Sequence, residues 1–291
     1  MKYAAIDIGT NAARLLIGEV VKHKEHLYVQ KLSYTRVPLR LGMDVFNDGF
    51  IPKQKTERFV KTMRAFQLIA DVYDVTAIRA CATSAMREAK NGVEVQQQIL
   101  EETNLNVEII DGKEEANILF STFFLLAEEV GSSFIVIDVG GGSTEVSVFE
   151  NGKKVNGKSF EVGTIRLLKD KTKPSVWKDI KQWLKENVSK KIDYKVFGTG
   201  GNINKIHKIM YKRFMEPIFL VELKAFQAEL EALTFDERME KYLLKPDRAD
   251  VIIPACRIYN FIGKQLKCKE IYVPKIGLSD GMIYDLYLRE S

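Results

Sequence analysis

Two segments of the chain combine the residue types that handle phosphate. Between Tyr3 and Val20, two apolar stretches are separated by Gly9-Thr10-Asn11, which follows Asp7 by one residue. Between Phe134 and Phe149 the same order returns: an apolar stretch, Asp138, one apolar residue, Gly140-Gly141-Gly142-Ser143, and a second apolar stretch. Glycines let backbone N–H groups converge on an anion, Thr10, Ser143 and Thr144 add hydroxyls, and Asp7 and Asp138 suit a Mg2+ ion held through water. No Gly-Lys-Ser or Gly-Lys-Thr follows either turn, so neither is a P-loop. Each turn leads into a strand rather than a helix, which sets aside the dinucleotide fingerprint. One Gly-Gly-Gly-Ser turn is weak evidence; two such turns, each after an apolar strand and an Asp, are much stronger.

Each segment reads as a strand, a tight turn and a returning strand. The offset from Asp7 to Asp138 is close to one domain length, which predicts two related domains rather than a solenoid. Lys53 to Tyr73 places Phe59, Met63, Phe66 and Ile69 or Ala70 on one helical face. Strands at Val75–Ala80 and Val107–Ile110 alternate with a helix over Gly92–Thr103, the α/β pattern. A helix from about Lys113 to Glu129 leads to the second hairpin and sets a boundary near residue 120. This gives domains 1–120 and 121–291, with a last helix over about 279–291 packing back on the first. The second half adds a strand at Val155–Glu161, a helix over Pro174–Val188, and a strand at Lys195–Phe197 that ends in Gly198-Thr-Gly-Gly-Asn202. A basic helix start at Lys205–Lys212, a long helix over Pro246–Leu266 with proline in its first turn, a strand at Ile271–Pro274 and a turn at Gly277–Gly281 follow.

Composition narrows the class. The 291 residues, 46% hydrophobic and 29% charged, describe a globular chain and exclude disorder, collagen-like repeats and disulfide scaffolds. The net charge of +5 comes from 44 basic against 39 acidic residues, so it permits an anionic ligand without demanding one. Cys81, Cys256 and Cys268 are scattered and form no Cys-x-x-Cys, which points to the cytoplasm and away from a thiolate zinc site. A signal peptide and a membrane-length apolar run are both missing. The aromatics sit mostly at core spacing, which argues against a nucleic-acid partner.

Seven ordered motifs then carry a resemblance: Ala5-Ile-Asp-Ile-Gly-Thr-Asn11, Ala82-Thr-Ser-Ala-Met-Arg87, Ile110-Asp-Gly-Lys-Glu-Glu-Ala116, Ile137-Asp-Val-Gly-Gly-Gly-Ser-Thr-Glu145, Gly198-Thr-Gly-Gly201, Arg248-Ala-Asp250 and Gly277-Leu-Ser-Asp-Gly281. Over nearly its whole length the chain resembles the exopolyphosphatase and guanosine pentaphosphate phosphatase family, within the superfamily of sugar kinases, heat-shock ATPases and actin. The resemblance implies two duplicated ribonuclease H-like α/β domains with an interdomain cleft. It implies a phosphohydrolase, linked to the stringent response, that removes the terminal phosphate of polyphosphate or the 5'-terminal phosphate of guanosine pentaphosphate.

By the same resemblance Glu115 activates the attacking water, a role suited to a carboxylate, while Glu114 interacts with the helix dipole. Arg87 pairs with phosphate oxygens; its plainer reading is an exposed helix arginine. Gly9, Thr10, Asn11, Gly140, Gly141, Gly142 and Ser143 bind phosphate, with Asn11 equally readable as a left-handed turn residue. Gly198, Thr199, Gly200 and Gly201 meet the distal substrate. Asp7, Asp138 and Glu145 are the metal ligands, because three carboxylates beside a polyanion call for Mg2+ or another divalent cation. Arg14 reads as structural. Arg36 and Arg40 read as a basic loop at the cleft mouth or as solvated, and Lys205, His207, Lys208, Lys212 and Arg213 as a positive track or a solvated face. A homodimer through the second domain is reasonable. Longer members carry a C-terminal helical region with a His-Asp metal motif. The chain ends about ten residues after Gly281 without one, so the two-domain core, shorter substrates and lower processivity are expected. The rival readings are a phosphotransferase acting with ATP, a non-catalytic sensor of the same ligands, and an actin-like filament subunit.

Overall fold

A computed structural model describes residues 1–23, 26–123 and 133–290 of the chain. The contacts divide it into two units, Met1–Ala127 with Ile276–Ser291, and Glu128–Lys275. The chain thus passes from unit 1 to unit 2 later than residue 120 and returns to unit 1 for its last segment.

Unit 1 is built on a five-stranded sheet in the order β3-β2-β1-β4-β5, with β1 Tyr3–Ile8, β2 Ala13–His23, β3 His26–Val37, β4 Ala77–Ala82 and β5 Val107–Ile109. Strands β2 and β3 run antiparallel in the meander, whereas β4 and β5 join parallel to β1. All six residues of β1 are buried, as a run without polar alternation requires of a strand covered on both faces. Helix Lys53–Val72 buries Phe59, Met63, Phe66 and Ala70. Of the helix expected from Lys113 to Glu129, the structure shows Gly112–Ser121; residues 124–129 lie outside the described residues.

The C-terminal helix, Leu278–Glu290, packs Met282, Ile283 and Leu286 into the cluster that holds Tyr3, Leu16 and Ile118. The last helix, expected from about residue 279, thus starts at Leu278 within the motif Gly277–Gly281. A Cβ on Gly281 would stand 2.0 Å from the carbonyl oxygen of Ile118, so glycine is needed there for the close crossing of helix Gly112–Ser121.

Unit 2 repeats the meander in a four-stranded sheet, β8-β7-β6-β9, with β6 Phe134–Val139, β7 Thr144–Glu150, β8 Lys153–Phe160 and β9 Lys195–Thr199. Its core joins Ile135, Ile137, Val146 and Val148 to Ile180 and Leu184 of helix Ser175–Asn187 and to Ile258 and Ile262 of helix Ile252–Leu266. The long helix expected over Pro246–Leu266 is broken after a single turn, Pro246–Ala249. Pro254 gives the reason: in a continuous helix it would have no N–H for the carbonyl of Asp250, and its ring would strike that carbonyl. Helices Leu220–Ala232 and Phe235–Tyr242 were not foreseen, although Thr234 and Glu237 form a capping box at the start of the second. Among the described residues no helix is long and apolar enough to cross a membrane.

Candidate active site

The glycine turns occupy matching places. In unit 1 the Gly9 N–H donates to the Ala12 carbonyl at 3.1 Å, and in unit 2 the Gly140 N–H donates to the Ser143 carbonyl at 3.0 Å. These two amides are spent inside the turns and are not the phosphate donors expected of Gly9 and Gly140.

The carbonyls of both turns are held by the start of a helix. In unit 2 the N–H groups of Thr164 and Ile165 donate to Gly140 and Gly141 at 3.0 and 2.8 Å, and Arg166 Nε donates to Gly142 at 2.8 Å. Across a trans peptide the N–H points opposite to the carbonyl before it, and the described peptides are all trans. The amides of Gly141, Gly142 and Ser143 therefore face away from helix Thr164–Leu168. In unit 1 Gly42 and Arg40 N–H groups hold the carbonyls of Thr10 and Asn11, each at 3.0 Å, which aims the amides of Asn11 and Ala12 in the same manner.

Gly163 and Arg166 had no place in the sequence reading. A Cβ on Gly163 would come within 2.5 Å of the Gly141 backbone, so a glycine is required for the helix to approach the turn. The available signal was a Gly-Thr step between a strand and a short helix. One of the expected hydroxyl donors is occupied elsewhere, Thr144 donating to the Val162 carbonyl at 2.6 Å, and Thr10 shares with Ser84 a buried bond of 2.8 Å in which either hydroxyl can donate.

Asp138 and Glu145 are directly opposed across the β6–β7 pair. Thr199 Oγ1 donates to Asp138 Oδ1 and Ser159 Oγ to Glu145 Oε1, both at 2.7 Å. Glu145 is only 4% exposed. Like charges directly opposed on a sheet destabilise it, and a hard divalent cation with oxygen ligands relieves that repulsion. These two carboxylates fit such an ion.

Thr199, expected at the distal substrate, thus bonds Asp138, and its own carbonyl accepts from the Tyr259 hydroxyl. Burial, and then the nearby Asp138, push that phenol well above its ordinary range, so Tyr259 stays a donor. Gly200 has φ +108° and would place a Cβ 2.8 Å from the Val139 carbonyl; only glycine suits both demands. Gly201 opens helix Gly201–Ile209 beside Arg248, which donates to Asn202 Oδ1 at 2.8 Å. His207 is fully buried with Nε2 at 2.9 Å from the Glu216 carbonyl, and burial lowers its pKa. It is a core residue and not part of a positive track. Lys212 is tied to Glu222 at 3.0 Å.

In unit 1, Asp111 caps helix Gly112–Ser121 by accepting from the Glu114 N–H at 2.7 Å, and that backbone bond leads the causes that lower its pKa. Glu115 lies half-buried in the first turns of this helix. The exposed Arg87 donates through Nη1 to the Ile110 carbonyl at 2.6 Å, at the loop that enters the helix. The buried Arg79 binds Glu114 at 3.0 Å, Glu108 at 2.8 Å and Asp285 of the C-terminal helix at 2.8 Å. Asp7 is paired with Arg14, Nη1 to Oδ2 at 2.5 Å. This pair agrees with the expectation that Arg14 is structural.

Two α/β units, each a meander with a glycine turn at the end of its first strand, define the actin-like ATPase-type fold. The solved Ppx/GppA family member from Aquifex aeolicus superposes with a TM-score of 0.78 over 100% of this chain and 99% of that one at 23% identity. An exopolyphosphatase from Cytophaga hutchinsonii gives 0.81 over 98% and 97%, also at 23% identity. The model of the Ppx/GppA phosphatase family matches residues 19–290, and the chain belongs to that family.

Among curated relatives, the bifunctional 3-dehydroquinate synthase/phosphatase of Fusobacterium nucleatum is 30% identical over 290 residues, covering 90% of this chain and 43% of the relative. Exopolyphosphatase 1 of Mycobacterium tuberculosis is 28% identical over 173 residues, 58% of this chain and 48% of that one. The chain spans about half the length of the curated relatives it matches.

Proposed function

We propose that the chain is a phosphohydrolase that releases the terminal phosphate of inorganic polyphosphate, or the 5'-terminal phosphate of guanosine pentaphosphate. The observation that carries this reading is the unit 2 turn: three amides on the side away from helix Thr164–Leu168, with the opposed Asp138 and Glu145 beside the turn in the same hairpin. Family membership supports the reaction class.

In this reading the amides of Gly141, Gly142 and Ser143 cradle the terminal phosphoryl oxygens, over which the charge of the transition state is spread. Glu115 accepts the proton of the attacking water, and Arg87 pairs with oxygens of the chain through the guanidinium nitrogens left over from Ile110. A Mg2+ ion held by Asp138 and Glu145 would supply charge neutralisation for the leaving oxygens. Thr199 orients Asp138, and the loop from Gly200 to Asn202 meets the more distant part of the substrate. The three free cysteines suit the cytoplasm, and a homodimer is part of the same reading.

The test is phosphate release from polyphosphate and guanosine pentaphosphate side by side, with Mg2+ and no acceptor. Wild-type protein should release phosphate from at least one, and Glu115→Gln should lose about a hundredfold or more in kcat. Release that needs an added acceptor, or near wild-type turnover by Glu115→Gln, overturns the reading.

A further inference from the structure

One buried charge of unit 1 has no part in the reaction proposed above. Arg79 precedes Cys81 by two residues in β4, so both side chains take the same face of the sheet. Cys81 packs there into the cluster that holds Ile118 and the C-terminal helix, and Glu108 of β5 is registered beside it. A charge in such a layer must be paired. Arg79 Nε and Nη2 fork onto Glu108 at 3.2 and 2.8 Å, Nη1 donates to Asp285 at 2.8 Å, and Nη2 also donates to Glu114 at 3.0 Å.

These bonds converge on the helix start that carries Glu115. Glu114 is held twice, by Arg79 through its carboxylate and by Asp111 Oδ1 through its N–H at 2.7 Å. The Ile110 N–H donates to the Ala82 carbonyl at 3.0 Å, which ties the entering loop to the end of β4. From the other side Asp285 and the close crossing at Gly281 hold the C-terminal helix to the same segment. Consecutive helix residues project about 100° apart. Fixing Glu114 therefore fixes the rotation of the helix, and with it the direction of Glu115.

We propose that Arg79 is a positioning residue for the reaction: through Glu114 it sets the direction in which Glu115 meets the attacking water. The inference rests on the reading of Glu115 as the group that takes the proton of that water. Its chemical use is precision, since a base displaced by about 1 Å can cost about a hundredfold in rate. Arg79 gives that precision from a strand of the sheet, a more rigid support than a loop.

The test is phosphate release with Mg2+ by Glu114→Ala, Glu114→Gln and Arg79→Gln, with amide hydrogen exchange over Gly112–Ser121 measured alongside. Glu114→Ala should lower kcat about tenfold or more and leave KM within about twofold. Glu114→Gln can still accept from the guanidinium and should keep most of the rate. Exchange over Gly112–Ser121 should quicken in Glu114→Ala and in Arg79→Gln. In a Glu115→Gln background Glu114→Ala should cost no further kcat, whereas a merely structural part would lower the residual rate again. Arg79→Gln leaves three acids without their cation. If it does not fold, Glu114→Ala decides alone, because there Arg79 keeps Glu108 and Asp285. Wild-type kcat in Glu114→Ala, or a further loss in the Glu115→Gln background, overturns the proposal. Wild-type protein silent on both substrates faults the hydrolase reading instead, and exchange unchanged by Glu114→Ala would even then overturn the hold of Arg79 on the helix.

Discussion

The hairpins of units 1 and 2 agree in backbone and disagree in charge. Both close the turn with the same short hydrogen bond, both anchor its carbonyls to a helix start, and both carry a bulge in the second strand pair, at Ile17/Gly18 and at Val148/Phe149. The row of side chains beside the turn is acidic with hydroxyl partners in unit 2 and mixed with two arginines in unit 1. A repeat can thus keep the backbone hydrogen bonds of its turn while the side chains beside it change charge. Sequence alone stresses the shared Gly and Asp residues, whereas their cross-strand partners differ: Arg14 opposes Asp7 and Glu145 opposes Asp138.

The severest way to break the comparison is to write unit 1 into unit 2. Glu145→Arg should give Asp138 an internal ion pair like that of Asp7 and lower phosphate release about a hundredfold or more, with Mg2+ no longer stimulating it. A variant still stimulated by Mg2+ would mean that Glu145 is not a ligand.

A smaller effect should follow from Gly163→Ala, which forces a Cβ into the Gly141 backbone. Overpacking of this kind costs about 1–3 kcal/mol. Denaturation should report that loss, together with a raised KM from a displaced cradle, whereas an unchanged midpoint and KM would mean that the helix does not fix the turn.

The smallest effect is on pH and sharpens the contrast in where positive charge resides. The pKa of His207 is lowered in the fold, so below its unfolded value of about 6.5 the unfolded chain binds more protons. Its contribution to stability is present above that pH and is lost as pH falls through the depressed folded pKa. Thermal midpoints of wild type should drop on acidification through this window more steeply than those of His207→Gln. Parallel curves would show that His207 is charged in the fold after all.

Much of this was legible in the sequence because it depends on local pattern. The hairpins follow from apolar runs around Gly-rich turns, and the buried face of helix Lys53–Val72 from its three-to-four spacing. What was not legible depends on residues far apart in the chain. Nothing near Gly163 announces the carbonyls of Gly141, and nothing near Gly281 announces Ile118. The bond between Thr199 and Asp138 spans 61 positions, so a hydroxyl in a Gly-rich loop read as a substrate contact. The pair of Arg14 with Asp7 is local by contrast, because the two residues are opposed in one hairpin and the register follows from the turn.

Hydrolysis in water enriched in oxygen-18 tests the central claim most directly. Attack of water on the terminal phosphorus predicts one labelled oxygen in each released orthophosphate and none in the shortened chain. Label in the new chain end, or unlabelled orthophosphate, would contradict it.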